Sequence, residues 1–455
     1  MTQDSTQSVL FPSLFHKPVV ASFDQPDSSS DGGAILLKAI DSKLNLTERL
    51  ASCIPETREE GKIVHPLVDL LRQRVYGIAC GYPDCNDADR LADDPIQKML
   101  LDRDPIDGKS LGSQPTLSRF ENAPSSKDLF KVGCKLADIV IEHHARRLKG
   151  KARLITIDLD PTDDPTHGMQ QLTFFNAHYD SYCYLPMVGT LQFDDETEKY
   201  LFTVVLRPGN AHASRGTIGI LMRLLVRLRK AFPKTRFRVR LDGGFATPEI
   251  LDYLEFEGVE YLVGMAGNSR LEKRARRLMG KVRMKSRKTG KTETLFGETR
   301  YAALKWSHRR RVIIKAEVVR CPRRDPRDND RFVVTNLPHK PENVYKIYRG
   351  RGDTENRIKE LHHGLEIDRT SCTSFLANQL RVFMTAAADV LMQETRRRTA
   401  GTDLARAQIT TLRERLLKMA VWVERSVRRI VLHFPVAYPW FNCWKQIAHS
   451  VGARV

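Results

Sequence analysis

The stretch from Val344 to Arg369, VYKIYRGRGDTENRIKELHHGLEIDR, sets polar chemistry where a helix ordinarily buries apolar side chains, and any fold must satisfy both demands. On one helix, at about 100° per residue, Tyr348, Arg351, Glu355, Lys359 and His362 fall in a narrow sector. Ile347, Ile358, Leu361 and Leu365 form the adjoining apolar stripe. Such a helix packs by one stripe and presents a carboxylate flanked by cations on the next. Gly350 and Gly352 weaken its start, making Asp353 and Thr354 candidate N-caps and leaving Tyr348 and Arg351 on a turn. A solvated i,i+4 pair of Glu355 with Lys359 has the same spacing, so the reading turns on whether the chain supplies partners for Glu355.

Two other stretches supply them. ARLITIDLDPTDD alternates as a strand that breaks at Pro161, with Asp158 and Asp160 on one face at its end. RFRVRLDGG alternates Phe237, Val239 and Leu241 with three arginines and ends at Asp242 before a Gly-Gly turn. Between them LTFFNAHYDSYCYLPMVGTLQ and KYLFTVVLRPG read as strands, and SRGTIGILMRLLVRLRKAF reads as an amphipathic helix. TPEILDYLEFEG follows as a helix with Thr247 as cap and Pro248 in its first turn, then VEYLVGMAG as a buried strand. The order predicts an α/β sheet whose later part is βαβ-like with a parallel pair.

In such sheets functional groups collect at the carboxyl ends of strands, so Asp242 can meet Asp160 or Asp158, and a helix on the sheet can bring Glu355 to them. Three converging carboxylates repel unless a cation lies between them. Oxygen-only ligation selects a hard ion, Mg²⁺ or Mn²⁺. Two such ions about 4 Å apart serve in-line attack on phosphorus, the chemistry of DNA cutting and joining.

Charge points to the same substrate. A formal net charge of +19 and a pI near 9.6 call for a polyanionic partner, and nucleic acid fits a chain without lipid motifs. The segment from Arg270 to Lys291 is a basic run with one acid, Glu272, and Arg274, Arg277, Lys285 and Lys288 are its candidate DNA contacts. Eight cysteines without a CxxC pair read as reduced thiols, and Cys80 with Cys85 lacks the second pair a zinc site needs. No apolar run is long enough to cross a bilayer, and MTQDSTQSVLFPSLF lacks the pattern of a signal peptide, so a cytoplasmic chain is expected.

At 455 residues several domains are expected. Residues 1–33 read as a flexible segment with a short apolar motif from Phe11 to Phe15, and 34–150 as a helical domain that binds DNA ends. Within the latter, SQPTLSRFEN presents Ser118 and Arg119 on a short helix suited equally to a DNA groove or to packing. The catalytic core reads as 151–267 and 341–395, interrupted at 268–340 by a basic, β-rich insertion whose small sheet is its own. YAALKW, RRVIIKAEVVR and RFVVTNL would form that sheet. Residues 396–455 read as a basic helical region.

Asp160-Pro161-Thr162, the LDGG turn at Asp242, and Tyr348-x2-Arg351-x3-Glu355 together resemble the DDE transposases of bacterial insertion sequences with a Tyr-Arg-Glu-Lys signature. GYPDCNDADRLADDP and SQPTLSRFEN resemble one group among them, the insertion sequence 1380 family. The resemblance implies an RNase H-like catalytic core with a β-rich insertion before the glutamate, flanked by helical N- and C-terminal regions. It implies cut-and-paste movement of an element with terminal inverted repeats, by a dimer on double-stranded DNA in the bacterial nucleoid. By carry-over Asp160, Asp242 and Glu355 would bind Mg²⁺ or Mn²⁺, and Tyr348, Arg351 and Lys359 would position DNA phosphates. The signature expects Lys where this chain has His362, one turn after Lys359, so both are candidates for that role; Asp158 likewise competes with Asp160. His167 is a candidate lining residue, and Trp306 is a candidate for stacking on a flipped base or for a core position. A nuclease without strand transfer and a non-catalytic DNA-binding protein are the alternative readings.

Overall fold

A computed structural model describes residues 9–454. Residues 1–8 of the expected flexible segment lie outside the described residues. The remainder of that segment pairs Val9–Phe11 with Val19–Ala21 in a small hairpin and then enters the body of the protein. There Asp31 is wholly buried, accepting a hydrogen bond from Gln97 at 2.8 Å and pairing with Lys418 at 2.7 Å.

A helical layer comes first, including Ile35–Leu44, Leu67–Cys80 and α1 (Ser126–Leu148). Ser125 opens α1 with a reciprocal capping box to Asp128. The strands of one sheet follow: β1 (Leu154–Pro161), β2 (Met187–Phe193) and β3 (Tyr200–Val205), then α2 (Thr217–Ala231), β4 (Arg236–Leu241), α3 (Pro248–Phe256) and β5 (Glu260–Met265). The chain continues through α4 (Ser269–Thr289), β6 (Glu293–Tyr301), β7 (Arg310–Val319), β8 (Arg327–Thr335), α5 (Pro341–Arg349), α6 (Gly352–Leu365) and α7 (Phe375–Arg398).

The sheet has eight strands in the order β6-β7-β8-β5-β4-β1-β2-β3. β1 and β4, and β4 and β5, are parallel, as the βαβ pattern predicts; the other pairings are antiparallel. The register sets Asp158 opposite Arg240, so the same register carried two residues on brings Asp160 and Asp242 side by side at the strand ends.

Four expectations are corrected. The strands β6 to β8 do not make a sheet of their own: β8 pairs with β5 and extends the central sheet. An unpaired edge at β5 would leave a row of backbone donors and acceptors open, and β8 satisfies it. The first of these strands ends at Tyr301, and Ala302 to Trp306 form the turn after it. The C-terminal region is not all helical: the helical stretch after α7 ends at Leu417, and Val421–Arg425 pairs with Ile430–His433. VWVER buries Val421 and Val423 and exposes Trp422 between them, and with Ile430 and Val431 opposite it brings β-branched residues that favour a pleated surface over a helix. The stretch around Glu355 is two helices, α5 and α6, separated at Gly350 and Arg351.

At the opposite edge, β3 is closed by side chains. On α7 Gln379 accepts from the Leu206 amide at 2.7 Å and Gln393 accepts from the Leu201 amide at 3.2 Å, while both side-chain amides donate back to strand carbonyls. The helix that carries them is buried along most of its length.

It also buries Asp389, where desolvation, then Glu360, raises the carboxyl to about 7 against the pull of Arg396 and Arg357. The folded state therefore holds this proton more tightly than an unfolded chain does. Stability from Asp389 is full below the unfolded value of about 3.9 and is lost as pH rises through 7. Asp389→Asn is expected to gain stability over the parent between pH 4 and 7, read as a widening gap in urea midpoints; a pH-independent gap would remove the assignment.

Candidate active site

β1 is paired with β4 as far as Asp158 and with β2 through Pro161, and Asp160 near its end has only 7% of its surface exposed. Burial raises its carboxyl to about 7; the negative charges of Asp242 and Glu355 push the same way, and Arg351 opposes them. Arg351 stands at the junction between α5 and α6. From there one guanidinium nitrogen donates to Asp160 Oδ2 at 2.6 Å and another to Glu355 Oε1 at 2.9 Å. Glu355 sits one turn along α6 and is half exposed.

Asp242 follows β4 and caps the turn Gly243–Phe245, accepting from the Gly244 amide at 2.8 Å. Tyr348 of α5 lies against Gly264 of β5: a Cβ there would come within 2.5 Å of its hydroxyl and 3.1 Å of the Gly243 nitrogen. A side chain at position 264 would push α5 away from the strand ends. Burial raises the Tyr348 phenol, with Arg351 opposing and Asp242 adding to the shift.

Below this layer Asp158 does something else. Arg240 donates Nε to Oδ1 and Nη2 to Oδ2, both at 2.8 Å, and Lys199 donates to Oδ2 at 2.9 Å. Burial alone would raise this carboxyl, but the two cations outweigh it and hold it below the usual range. Asp158 has no exposed surface, so as an alternative first acid it is corrected to a structural anion. Its cations reach onward: Lys199 donates to the Gly350 carbonyl and the Thr354 hydroxyl, each at 2.7 Å, and Arg240 to the Ile347 carbonyl at 3.1 Å. The α5–α6 junction is thus bolted to the sheet, and Arg351 and Glu355 with it.

The family model of the transposase DDE domain, group 1, matches residues 11–453. The chain belongs to this DDE transposase family. No curated protein matches it.

The acceptors facing Arg351 in this DDE-family chain are carboxylate oxygens, with neither sulfur nor imidazole, which as a ligand set fits a hard divalent cation. They are spread around the guanidinium. Among the described residues, the groups of three ligating atoms mutually within 4.8 Å are His143, His144 and Glu394, and Asp252, Glu255 and His308. Arginines already neutralise both groups: Arg397 and Arg398 hold Glu394, and Arg310 holds Asp252 and Glu255.

The remaining candidates divide by what they touch. Lys359 is exposed, and among the described residues it has no ion-pair partner, whereas His362 is tied down between Thr162 at 3.0 Å and Asp368 at 3.4 Å. His167 is exposed on the rim of a cavity of about 800 Å³ that also meets His362, His363 and Arg369. Trp306 is a core residue, 9% exposed, set edge-on to Tyr301 with Arg310 over its ring, so base stacking is corrected to packing.

The basic run is helix α4, whose Leu271, Ala275, Met279, Val282 and Ser286 face inward. Arg274 donates to Thr299 and the Arg300 carbonyl, and Lys285 pairs with Glu293 at 2.7 Å. Arg277 and Lys288 are exposed and, among the described residues, have no ion-pair partner. Arg119 is exposed, while Ser118 is half-buried.

Sequence reasoning missed Lys199, Arg240 and Thr354. Lys199 opens a strand, where a lysine ordinarily reaches solvent, and the alternation of RFRVRL does not say which acids its arginines meet. The available signal was three arginines on a strand flanked by apolar strands, which require acids: Arg236 and Arg238 take Glu260, and Arg240 takes Asp158.

Proposed function

We propose that this chain is a DDE transposase of the Tyr-Arg-Glu-Lys type that cuts DNA at the terminal inverted repeats of its element and joins the freed ends to target DNA. The observation that carries the reading is that Asp160, from a strand end, and Glu355, from a helix, meet on one guanidinium, with Asp242 at the neighbouring strand end close enough for its charge to raise the Asp160 carboxyl. The strand order β3-β2-β1-β4-β5, with β1, β4 and β5 parallel, supports an RNase H-like core.

In this reading the three carboxylates hold Mg²⁺ or Mn²⁺, which supplies charge stabilisation at phosphorus and a nucleophile from water at neutral pH. The chain's own part is placement. Lys199, Arg240 and Asp158 fix the junction, Asp242 is oriented by its cap, and Tyr348 and Lys359 are the groups that meet phosphate beside the acids. The exposed side of α4 takes the flanking duplex. Two element ends must be brought together, so a dimer on DNA is the expected assembly.

A linear DNA carrying both inverted repeats, a target plasmid and Mg²⁺ test the reading. Strand breaks at the repeat ends and covalently joined product are expected. Breaks without joining would make the protein a nuclease, and neither product would leave a DNA-binding protein.

Binding should also be steeply salt dependent. Arg277→Ala and Lys288→Ala are each expected to reduce the slope of log K against log salt by about 0.9, one phosphate contact apiece. Arg283→Ala should change the slope less, because Arg283 is already paired with Asp328. Equal slopes in all three variants would take α4 out of the interface.

A further inference from the structure

An acidic cluster that serves a cation has to be neutralised in some other way when the cation is absent. Here the neutralising group is Arg351. Its guanidinium spans Asp160 Oδ2 and Glu355 Oε1 with charge-assisted hydrogen bonds of 2.6 and 2.9 Å, and its side chain is only 17% exposed. A divalent ion shared by Asp160 and Glu355 would compete with the guanidinium for these carboxylates. Asp242 is different: among the described residues, the one hydrogen bond of its side chain is accepted from the Gly244 amide through Oδ1, and none comes from Arg351.

Arg351 is also placed to leave. It stands at the tight turn between α5 and α6, whose backbone is held by Lys199 and Arg240 rather than by the guanidinium. Its side chain can therefore swing without moving the helices, and a bidentate guanidinium takes a phosphate as readily as it takes two carboxylates.

We propose that Arg351 is a built-in occupant of the cation position between Asp160 and Glu355, and that DNA phosphate draws it off, so that full metal loading awaits DNA. The inference rests on reading Asp160, Asp242 and Glu355 as cation ligands. Metal and DNA are then coupled through one side chain, and the coupling is reciprocal: DNA tightens metal binding by the factor by which metal tightens DNA binding.

The test is Mn²⁺ binding by the full-length protein, read as the loss of the free Mn²⁺ resonance in electron paramagnetic spectra, with and without duplex DNA carrying the element end. Without DNA, Arg351→Gln is expected to bind Mn²⁺ about tenfold more tightly than the parent, within the usual 5- to 150-fold range of such couplings. Arg351→Lys should fall between them, because an ammonium is a point charge without the planar fork that bridges two carboxylates. DNA should tighten Mn²⁺ binding to the parent and leave Arg351→Gln unchanged.

If parent binding is abolished by Asp242→Asn while neither Arg351 variant binds more tightly, the acids hold metal and the proposal is overturned. If no Mn²⁺ binding depends on Asp242, the underlying reading falls and takes the proposal with it. Should Arg351→Gln fail to fold, the lysine variant, which keeps the positive charge at the junction, decides by the same comparison.

Discussion

Asp242→Asn should cut metal-dependent strand cleavage by on the order of 10³-fold or more, while binding of an end-containing duplex stays close to that of the parent. The substitution is nearly isosteric and leaves intact what Asp242 does for the fold. An asparagine oxygen still accepts from the Gly244 amide, so the cap of the turn after β4 survives. What disappears is the negative charge, and with it a cation ligand worth several kcal/mol of stabilisation where charge develops on phosphorus. Glu355→Gln follows the same logic, since its amide oxygen still accepts from Arg351. A gel assay of cleavage against Mg²⁺ concentration, beside a mobility-shift titration, separates chemistry from binding. Cleavage retained in either purified variant would remove that acid from the mechanism.

Asp160 makes a less decisive variant, for a reason visible in its surroundings. Burial already raises its carboxyl to about 7, so the neutral form is well tolerated there and Asp160→Asn should fold without penalty in the absence of metal. That same trait separates it from Asp158, two residues away on the same face of β1. From the alternation of ARLITIDLDP the two acids are indistinguishable. What divides them is depth: Asp158 faces Arg240 across the parallel register and Lys199 from the start of β3, while Asp160 reaches the edge where α6 approaches. Neither partner is near in sequence, and local pattern does not carry register.

The same limit explains the other differences. Strand character within the insertion was legible from RRVIIKAEVVR and RFVVTNL, but their joining to β5 depends on which edge is open, a property of the assembled sheet. The hairpin after Leu417 was readable in principle, because Val421, Val423, Ile430 and Val431 are β-branched; the basic residues around them mimic a helix face. α4 was likewise readable from the spacing of Leu271, Ala275, Met279 and Val282 beneath a dense coat of charge. Strand-end acids and a glutamate on a helix were legible because their positions follow from punctuation: Pro161 and Gly243 end the strands, and Gly350 and Gly352 open the helix.

Asp158→Ala carries the largest expected loss of stability, about 3–5 kcal/mol, because it strips the anion from two buried cations. Lys199 and Arg240 are 1% and 4% exposed, and neither has another carboxylate within ion-pair range among the described residues. Burial already depresses the Lys199 ammonium, with Asp158 holding against it, so without Asp158 the lysine gives up its proton or draws in water. Either response loosens its bonds to the Gly350 carbonyl and Thr354, and the junction carrying Arg351 and Glu355 loses its bolt. The variant should therefore unfold at a lower urea midpoint and also bind Mn²⁺ more weakly, although the candidate metal ligands remain. A triple variant, Asp158→Leu with Lys199→Met and Arg240→Met, should recover part of the stability, since removing the anion together with both of its cations avoids an uncompensated ion, but it should not recover cleavage, because neither methionine can donate to the junction. Stability and cleavage returning together would mean that the buried charges serve packing alone; a parental urea midpoint in Asp158→Ala would mean that the anion is not needed there at all.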